Sequence, residues 1–253
     1  MLGGLVLSGE MEVFIRLKRL MGIELACLEL RTLIRLSGLN VSYVECGNGW
    51  AKVNTSDGLE QFLSIINRAA LVKEMVINGV KHKPTLIKAV LSSVRKDSPH
   101  LNPLHALLMI NLTGVADGPI IDPFAGVGTI PRIAEKLGIR AIGCDIKSVS
   151  DLVCNALMMP IRYHSIKAIV TDPPFNRVFR TESRLSSLYI RFLESAIELL
   201  AKGGSIVMTL PSYLLDVVID EASSLNLNTY CIGVDHVHGA LSRFILCLSK
   251  DGN

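Results

Sequence analysis

Residues 119–129 read PIIDPFAGVGT, a short apolar run closed by Asp122 and followed by Pro123, Phe124, Ala125, Gly126, Val127 and Gly128. Such a run suits a buried strand of a parallel sheet. From Thr129 to Leu137 the apolar residues recur at helical spacing. A glycine loop between a strand and a helix turns backbone N–H groups and the helix N-terminus toward whatever lies over the sheet. A dinucleotide fingerprint would need a third glycine where Pro131 stands, so that match is weak. Pro131 itself is tolerable in the first helical turn, where its missing N–H costs nothing.

Outward from this loop the same rhythm repeats. A helix is expected over Leu104–Leu112, then strands over Pro119–Asp122, Arg140–Cys144 and Ala168–Thr171. A long helix over Ser183–Ala201, a strand over Ser205–Leu210, a helix over Tyr213–Ser224 and strands near Thr229–Val234 and Phe244–Ser249 complete the pattern. Alternating elements of this kind predict an α/β domain with a mostly parallel sheet. Ligands of such sheets bind at the carboxyl ends of the strands, and Asp122, Asp145 and Asp172 fall there. At the tip of its strand, Asp145 is placed to bridge two ribose hydroxyls.

The first 83 residues predict a small α+β unit. It has a short strand at Leu5–Ser8, a helical pattern from Phe14 to Leu36 stopped by Gly38, and a hairpin of Val41–Cys46 with Trp50–Asn54 around Gly47-Asn48-Gly49. Asp57 can cap a second helix over Gly58–Ala70, and Lys73–Val80 returns as a strand. The expected organisation is an N-terminal domain over residues 1–83, a linker helix over 84–98 and a second domain over 99–253.

The chain has 253 residues, with hydrophobic residues at 49% and charged residues at 19%, which excludes global disorder. Mean hydropathy is +0.42, yet the charge-free run around Leu101–Ala116 is interrupted by polar residues and falls short of the ~20 apolar residues a membrane span needs. The apolar start at Leu2–Leu7 lacks a basic flank and is not read as a signal peptide. Cys27, Cys46, Cys144, Cys154, Cys231 and Cys247 stand singly, without a CxxC pair, and are expected as reduced thiols of a cytoplasmic protein. Net charge is only +3, so any nucleic-acid surface must be local. His236 and His238 lack a third ligand nearby, and no metal site is expected.

A second motif carries the chemistry. Val170-Thr171-Asp172-Pro173-Pro174-Phe175-Asn176 puts a carboxylate, two proline carbonyls and an aromatic ring at one strand end. The prolines fix the backbone. An exocyclic amino group on a flat base offers two N–H donors, one to Asp172 and one to the Pro173 carbonyl. Two such bonds favour a more tetrahedral nitrogen and expose its lone pair, while Phe175 can stack on the base for ~1–3 kcal/mol.

Together the two segments resemble S-adenosylmethionine-dependent amino methyltransferases, with DPFAGVGT as cofactor loop and DPPF as catalytic motif. With GIELACLELRTLIRLSGL, HLNPLHALLMINLTG, IVTDPPFN and VHGALSRFILCLS, the chain is similar to the archaeal and eukaryotic tRNA guanine-N2 methyltransferases that modify guanosine 10. The resemblance is loose over residues 1–80 and closer over 99–250. It implies a Rossmann-like class I methyltransferase domain preceded by the ferredoxin-like half of a THUMP-type module. The implied activity is transfer of a methyl group from S-adenosyl-L-methionine to a guanosine of tRNA. The alternatives are an adenine-N6 methyltransferase acting on DNA or RNA, and a cofactor-binding scaffold subunit of a methyltransferase complex.

Carried onto this sequence, the resemblance makes Asp172, Pro173, Pro174 and Phe175 catalytic. It makes Asp122, Pro123, Phe124, Ala125, Gly126 and Gly128 the cofactor loop, and gives the ribose and adenine to Asp145 and Ile146. Asn155-Ala156 takes the place of an Asp-Ala pair at the adenine edge, with Asp151 a competing candidate. Only residues 146–171 separate Asp145 from Asp172, so one covering helix is expected to be lost or reduced to Ser148–Cys154. Val80–Lys96 is too short for a THUMP domain, so RNA binding is expected from Arg177, Arg180, Arg184 and Arg243, with Arg191 on the same stretch, or from a partner subunit.

Overall fold

A computed structural model describes residues 10–18, 22–85, 87, 101–147, 151–175, 182–236 and 242–251. The chain divides into two compact units, Met1–Ile87 and Lys88–Asn253.

In the first unit the described elements are β1 (Met11–Leu17), α1 (Ile23–Ser37), β2 (Val41–Gly47), β3 (Trp50–Thr55), α2 (Leu59–Ile66), β4 (Val72–Ile77) and β5 (Val80–His82). They form an antiparallel sheet in the order β2-β3-β1-β4-β5. The sequence β1-α1-β2-β3-α2-β4 is the ferredoxin-like pattern, here extended by β5. The helix expected from Phe14 starts only at Ile23. Val13, Ile15 and Leu17 are buried while Glu12, Phe14 and Arg16 are exposed, a period of two that makes Met11–Leu17 a strand. Gly22, at φ 87°, separates it from α1. The expected strand at Leu5–Ser8 lies outside the described residues. Within this unit Glu29 of α1 is buried, and its two carboxylate oxygens accept the N–H groups of Ala70 and Leu71 at 2.7 and 2.8 Å. That carboxylate ties α1 to the start of β4.

The second unit contains α3 (Pro103–Leu112), β6 (Ile120–Asp122), α4 (Thr129–Lys136), β7 (Ala141–Asp145), β8 (Leu152–Val153), β9 (Ile166–Thr171), α5 (Glu182–Leu199), β10 (Leu200–Pro211), α6 (Leu215–Ser224), β11 (Leu227–His236) and β12 (Ser242–Lys250). Asn102 caps α3, its side chain accepting Leu104 N–H at 2.9 Å, with Pro103 next. The seven described strands run β11-β12-β10-β9-β6-β7-β8. Pairing is parallel from β8 through β10, and β12 joins antiparallel. This is a Rossmann-like, mostly parallel sheet, preceded in the chain by the small α+β unit.

On α5, residues Leu185, Tyr189, Phe192, Leu193 and Ala196 are buried with Ile169, Met208 and Leu246 in one core. Burying each large side chain contributes about 1.5–3 kcal/mol. Of the two expectations for the covering helix, lost or reduced to Ser148–Cys154, the described residues fit the first: Leu152–Val153 pairs in parallel with Cys144 and Asp145. The segment is too short for a covering helix, and Cys154 N–H bonds to the Asp145 carbonyl at 3.0 Å. Residues 148–150 lie outside the described set.

The cysteines correct another expectation. Cys144 is paired with Cys154 and Cys231 with Cys247 as disulfides, at Cα–Cα distances of 5.7 and 4.9 Å. Cys27 and Cys46 are free. Cys231 and Cys247 are direct register partners of β11 and β12, a relationship that linear spacing does not reveal.

Candidate active site

The carboxyl ends of β6, β7 and β9 converge. Asp122 is the last residue of β6, Asp145 the last of β7, and Asp172 follows the last residue of β9. After Asp122 the chain turns through Gly126 and Gly128, at φ 51° and 79°. These left-handed conformations favour glycine, and Gly128 is the N-cap of α4. The loop is pinned from below, with Ala125 N–H donating to the Cys144 carbonyl at 2.9 Å.

Asp145 organises the loop as well as its own strand. Oδ2 accepts Gly126 N–H at 2.9 Å and Oδ1 accepts Lys147 N–H at 2.9 Å. Asp122 is buried and accepts the Thr171 hydroxyl at 2.7 Å and Phe124 N–H at 3.2 Å. Burial dominates over these bonds and, with Asp172 and Asp145 nearby, pushes its carboxyl up to about 7. Asp172 receives the hydroxyl of Thr209, a buried residue of β10.

Two adjoining recesses open here. The larger encloses about 380 Å³ and brings together Pro123, Phe124, Gly126, Asp145, Ile146, Asn155, Ala156, Asp172 and Pro174. It also takes in Lys147 and Leu188, neither of which belongs to a sequence motif. The smaller, about 160 Å³, lies between Asp172 and the glycine loop and is lined also by Asp122, Ala125, Thr129 and Leu101. Leu101 belongs to the HLNPL segment, so its position had a sequence signal; Lys147 and Leu188 had none. Ile146 is 74% exposed at the rim, leaving an apolar surface for a flat ring. Phe124 makes an edge contact with buried Phe192, ring centroids 5.4 Å apart, which holds it from the core side.

The remaining candidates are distributed differently. Asn155 uses its side-chain oxygen to accept Leu157 N–H at 3.0 Å while facing the larger recess. Asp151 accepts Gly143 N–H at 2.8 Å, so it serves the backbone of β7. Pro173 is buried and Phe175 half-buried beside Asp172. Gly128 shapes the loop without lining either recess. Arg184 and Arg191 are exposed on α5. Arg243 stands in β12 opposite Pro211 and Asp235. Arg177 and Arg180 lie outside the described residues. Among the described residues there is no cluster of metal-ligating side chains, and no helix is long and apolar enough to cross a membrane.

Comparison with known proteins fits this geometry. Residues 139–238 match the UPF0020 family, described as RMKL-like, methyltransferase domain. A tRNA (guanine(10)-N2)-dimethyltransferase of Methanothermobacter thermautotrophicus is 34% identical over 169 residues, 59% of this chain and 49% of that protein. One of Pyrococcus abyssi is 28% identical over 166 residues, 57% of this chain and 48% of the relative. The chain thus spans about half the length of these curated relatives. Among solved structures, TrmN from Thermus thermophilus superposes with a TM-score of 0.55 at 16% identity, covering 94% of this chain and 99% of that one. PH1948 of Pyrococcus horikoshii gives 0.50 at 14% identity, over 66% of this chain and 96% of the other. These two likenesses establish the fold. Residues 139–238, which carry Asp145 and Asp172, are thus similar to the UPF0020 methyltransferase domain.

Proposed function

We propose that this chain transfers a methyl group from S-adenosyl-L-methionine to the exocyclic N2 of a guanosine in tRNA. The observation that carries the reading is the sharing of one recess by Asp145, Ile146 and Asn155 on one side and Asp172 and Pro174 on the other. The cofactor and the reacting amino group would then lie side by side. A recess of about 380 Å³ falls within the range of small-molecule sites.

The residues present fit the cofactor. The Asp145 carboxylate would hold the ribose, Ile146 would face the adenine, and the Gly126 loop would approach the amino-acid end. Bound there, S-adenosylmethionine supplies a methyl group already activated by its sulfonium. The chain's own contribution is positioning. Asp172 and the Pro173 carbonyl accept the two amino hydrogens, which holds the nitrogen lone pair out of conjugation with the ring. Phe175 stacks on the base, and the guanine must leave its helical stack to reach the recess. No strong base is needed to start the transfer; the surplus proton of the methylated nitrogen would leave through the Asp172 carboxylate to solvent as the cofactor's sulfur returns to a thioether. Guanine N2, rather than adenine N6, is favoured by the named activity of the relatives, and tRNA is the substrate class by the same argument. A partner subunit supplying further RNA contacts belongs to this proposal.

The test is incubation of unmodified tRNA transcripts with labelled S-adenosylmethionine, followed by nucleoside analysis. N2-methylated guanosine is expected with the wild type and none with Asp172→Ala, while calorimetry still detects the cofactor bound to the variant. Label recovered as N6-methyladenosine, or near-wild-type turnover by the variant, overturns the reading.

A further inference from the structure

We propose that Thr209 is a positioning residue for methyl transfer, fixing the orientation of the Asp172 carboxylate. The inference rests on the assignment of Asp172 as the acceptor of the substrate amino group.

Thr209 lies in β10 between Met208 and Leu210, within a run of buried residues from Ser205 to Pro211. Its neighbour Met208 is the register partner of Thr171 in β9. One residue further along each parallel strand, Thr209 and Asp172 therefore stand side by side. The Thr209 hydroxyl donates to Oδ1 of Asp172, and Thr209 itself is 1% exposed. A buried hydroxyl is costly unless hydrogen-bonded, so this contact stabilises both partners' arrangement.

Threonine suits this geometry. Its branched Cβ restricts χ1, so the donor is aimed by the strand itself. Pro173 and Pro174 fix the backbone after Asp172 but do not set the rotation of its carboxylate. A donor from the neighbouring strand does. The same device recurs one strand away, where Thr171 of β9 donates to Asp122 of β6 at 2.7 Å. Each of these strand-end aspartates is held by a threonine from the next strand. In the Asp122 case the partner orders the loop entrance; in the Asp172 case it would order the reacting group.

The experiment compares Thr209→Val, Thr209→Ser and Asp172→Ala in the full chain, by single-turnover methylation of tRNA and by cofactor calorimetry. Valine keeps the shape and β-branching but removes the donor. Turnover of T209V should fall about 10- to 100-fold, the scale of loss from misplacing a reacting group. Cofactor affinity and KM for tRNA should change by less than about 2-fold, as expected when an interaction matters chiefly in the transition state. T209S, which restores the donor, should recover turnover to within about 3-fold of wild type. If D172A is inactive while T209V keeps wild-type turnover, this inference is wrong and the assignment of Asp172 stands. If D172A remains active, the assignment itself fails. Equal losses in T209S and T209V would make the role one of packing and overturn the inference. Should T209V not fold, Thr209→Ala replaces it, and an Ala variant as active as T209S overturns the inference likewise.

Discussion

Thr171 donates its hydroxyl to Oδ1 of Asp122 across 2.7 Å, and both side chains are buried. The Asp122 carboxyl nevertheless sits up at about 7 from an ordinary 3.8, because burial outweighs the hydrogen bonds. A native pKa above the unfolded one means that the unfolded chain loses its proton first as pH rises. The contribution to stability is therefore fully present below about pH 3.8 and is lost as pH rises through about 7. Asp122→Asn keeps an acceptor for Thr171 without a titratable group. Its stability relative to wild type should improve between pH 5 and pH 8 in urea unfolding. The gain is up to about 1.4 kcal/mol for every pKa unit that separates the folded from the unfolded carboxyl. A difference that stays flat over that interval would show that Asp122 is ionised throughout.

Asp145 is engaged through both carboxylate oxygens, with Gly126 and Lys147 N–H, and it faces the larger recess. Its removal should therefore disturb the glycine loop as well as any ribose contact. Asp145→Ala should weaken S-adenosylmethionine binding about 10- to 100-fold, the worth of one or two hydrogen bonds to a charged group. Asp145→Asn, which retains one acceptor oxygen, should lose less. Calorimetry on both variants decides it, and equal affinity in D145A and wild type would remove Asp145 from the cofactor site.

Local sequence was informative where one residue's chemistry was coupled to a strand end. Asp122, Asp145 and the DPPF segment follow apolar runs, and Asp122, Asp145, Asp172 and Pro174 line adjoining recesses, whereas Pro173 and Phe175 line neither. What depended on register was not legible. Thr209 is an ordinary strand residue until β9 and β10 are aligned through Met208 and Thr171. Leu152–Val153 has no strand signal beyond its pairing with β7. Phe14–Leu17 fits a helical period with the apolar residues after it, and only the burial of Val13, Ile15 and Leu17 on one sheet face separates strand from helix.

The cysteine pairs make a direct chemical prediction. Cys144 with Cys154 and Cys231 with Cys247 are joined, whereas Cys27 and Cys46 are free. Purified without reductant and alkylated in denaturant, the chain should take up label at Cys27 and Cys46 alone. Prior reduction should open the other four. Peptide mass spectrometry reads this directly, and six labelled cysteines without reduction would return all of them to the thiol state expected from their isolated positions in the sequence.

RNA contact can be tested on α5, where Arg184 and Arg191 are exposed and stand two helical turns apart. They therefore project from the same side of the helix that follows the DPPF segment, in reach of one stretch of backbone. Phosphate contacts of this kind set the register of a nucleic acid without reading its bases. Each contributes a slope of ~0.7–0.9 in log affinity against log salt. Replacing both arginines by alanine should flatten the salt dependence of tRNA binding by about 1.4–1.8. Affinity should fall alike for cognate and non-cognate tRNA, because both arginines would meet phosphates and neither a base. Filter binding from 50 to 300 mM KCl measures the slope, on the order of a full unit being easily resolved over that range. An unchanged slope in the double variant would place the RNA-binding surface away from α5, and would leave Arg243 and the segment containing Arg177 and Arg180 as the next positions to replace.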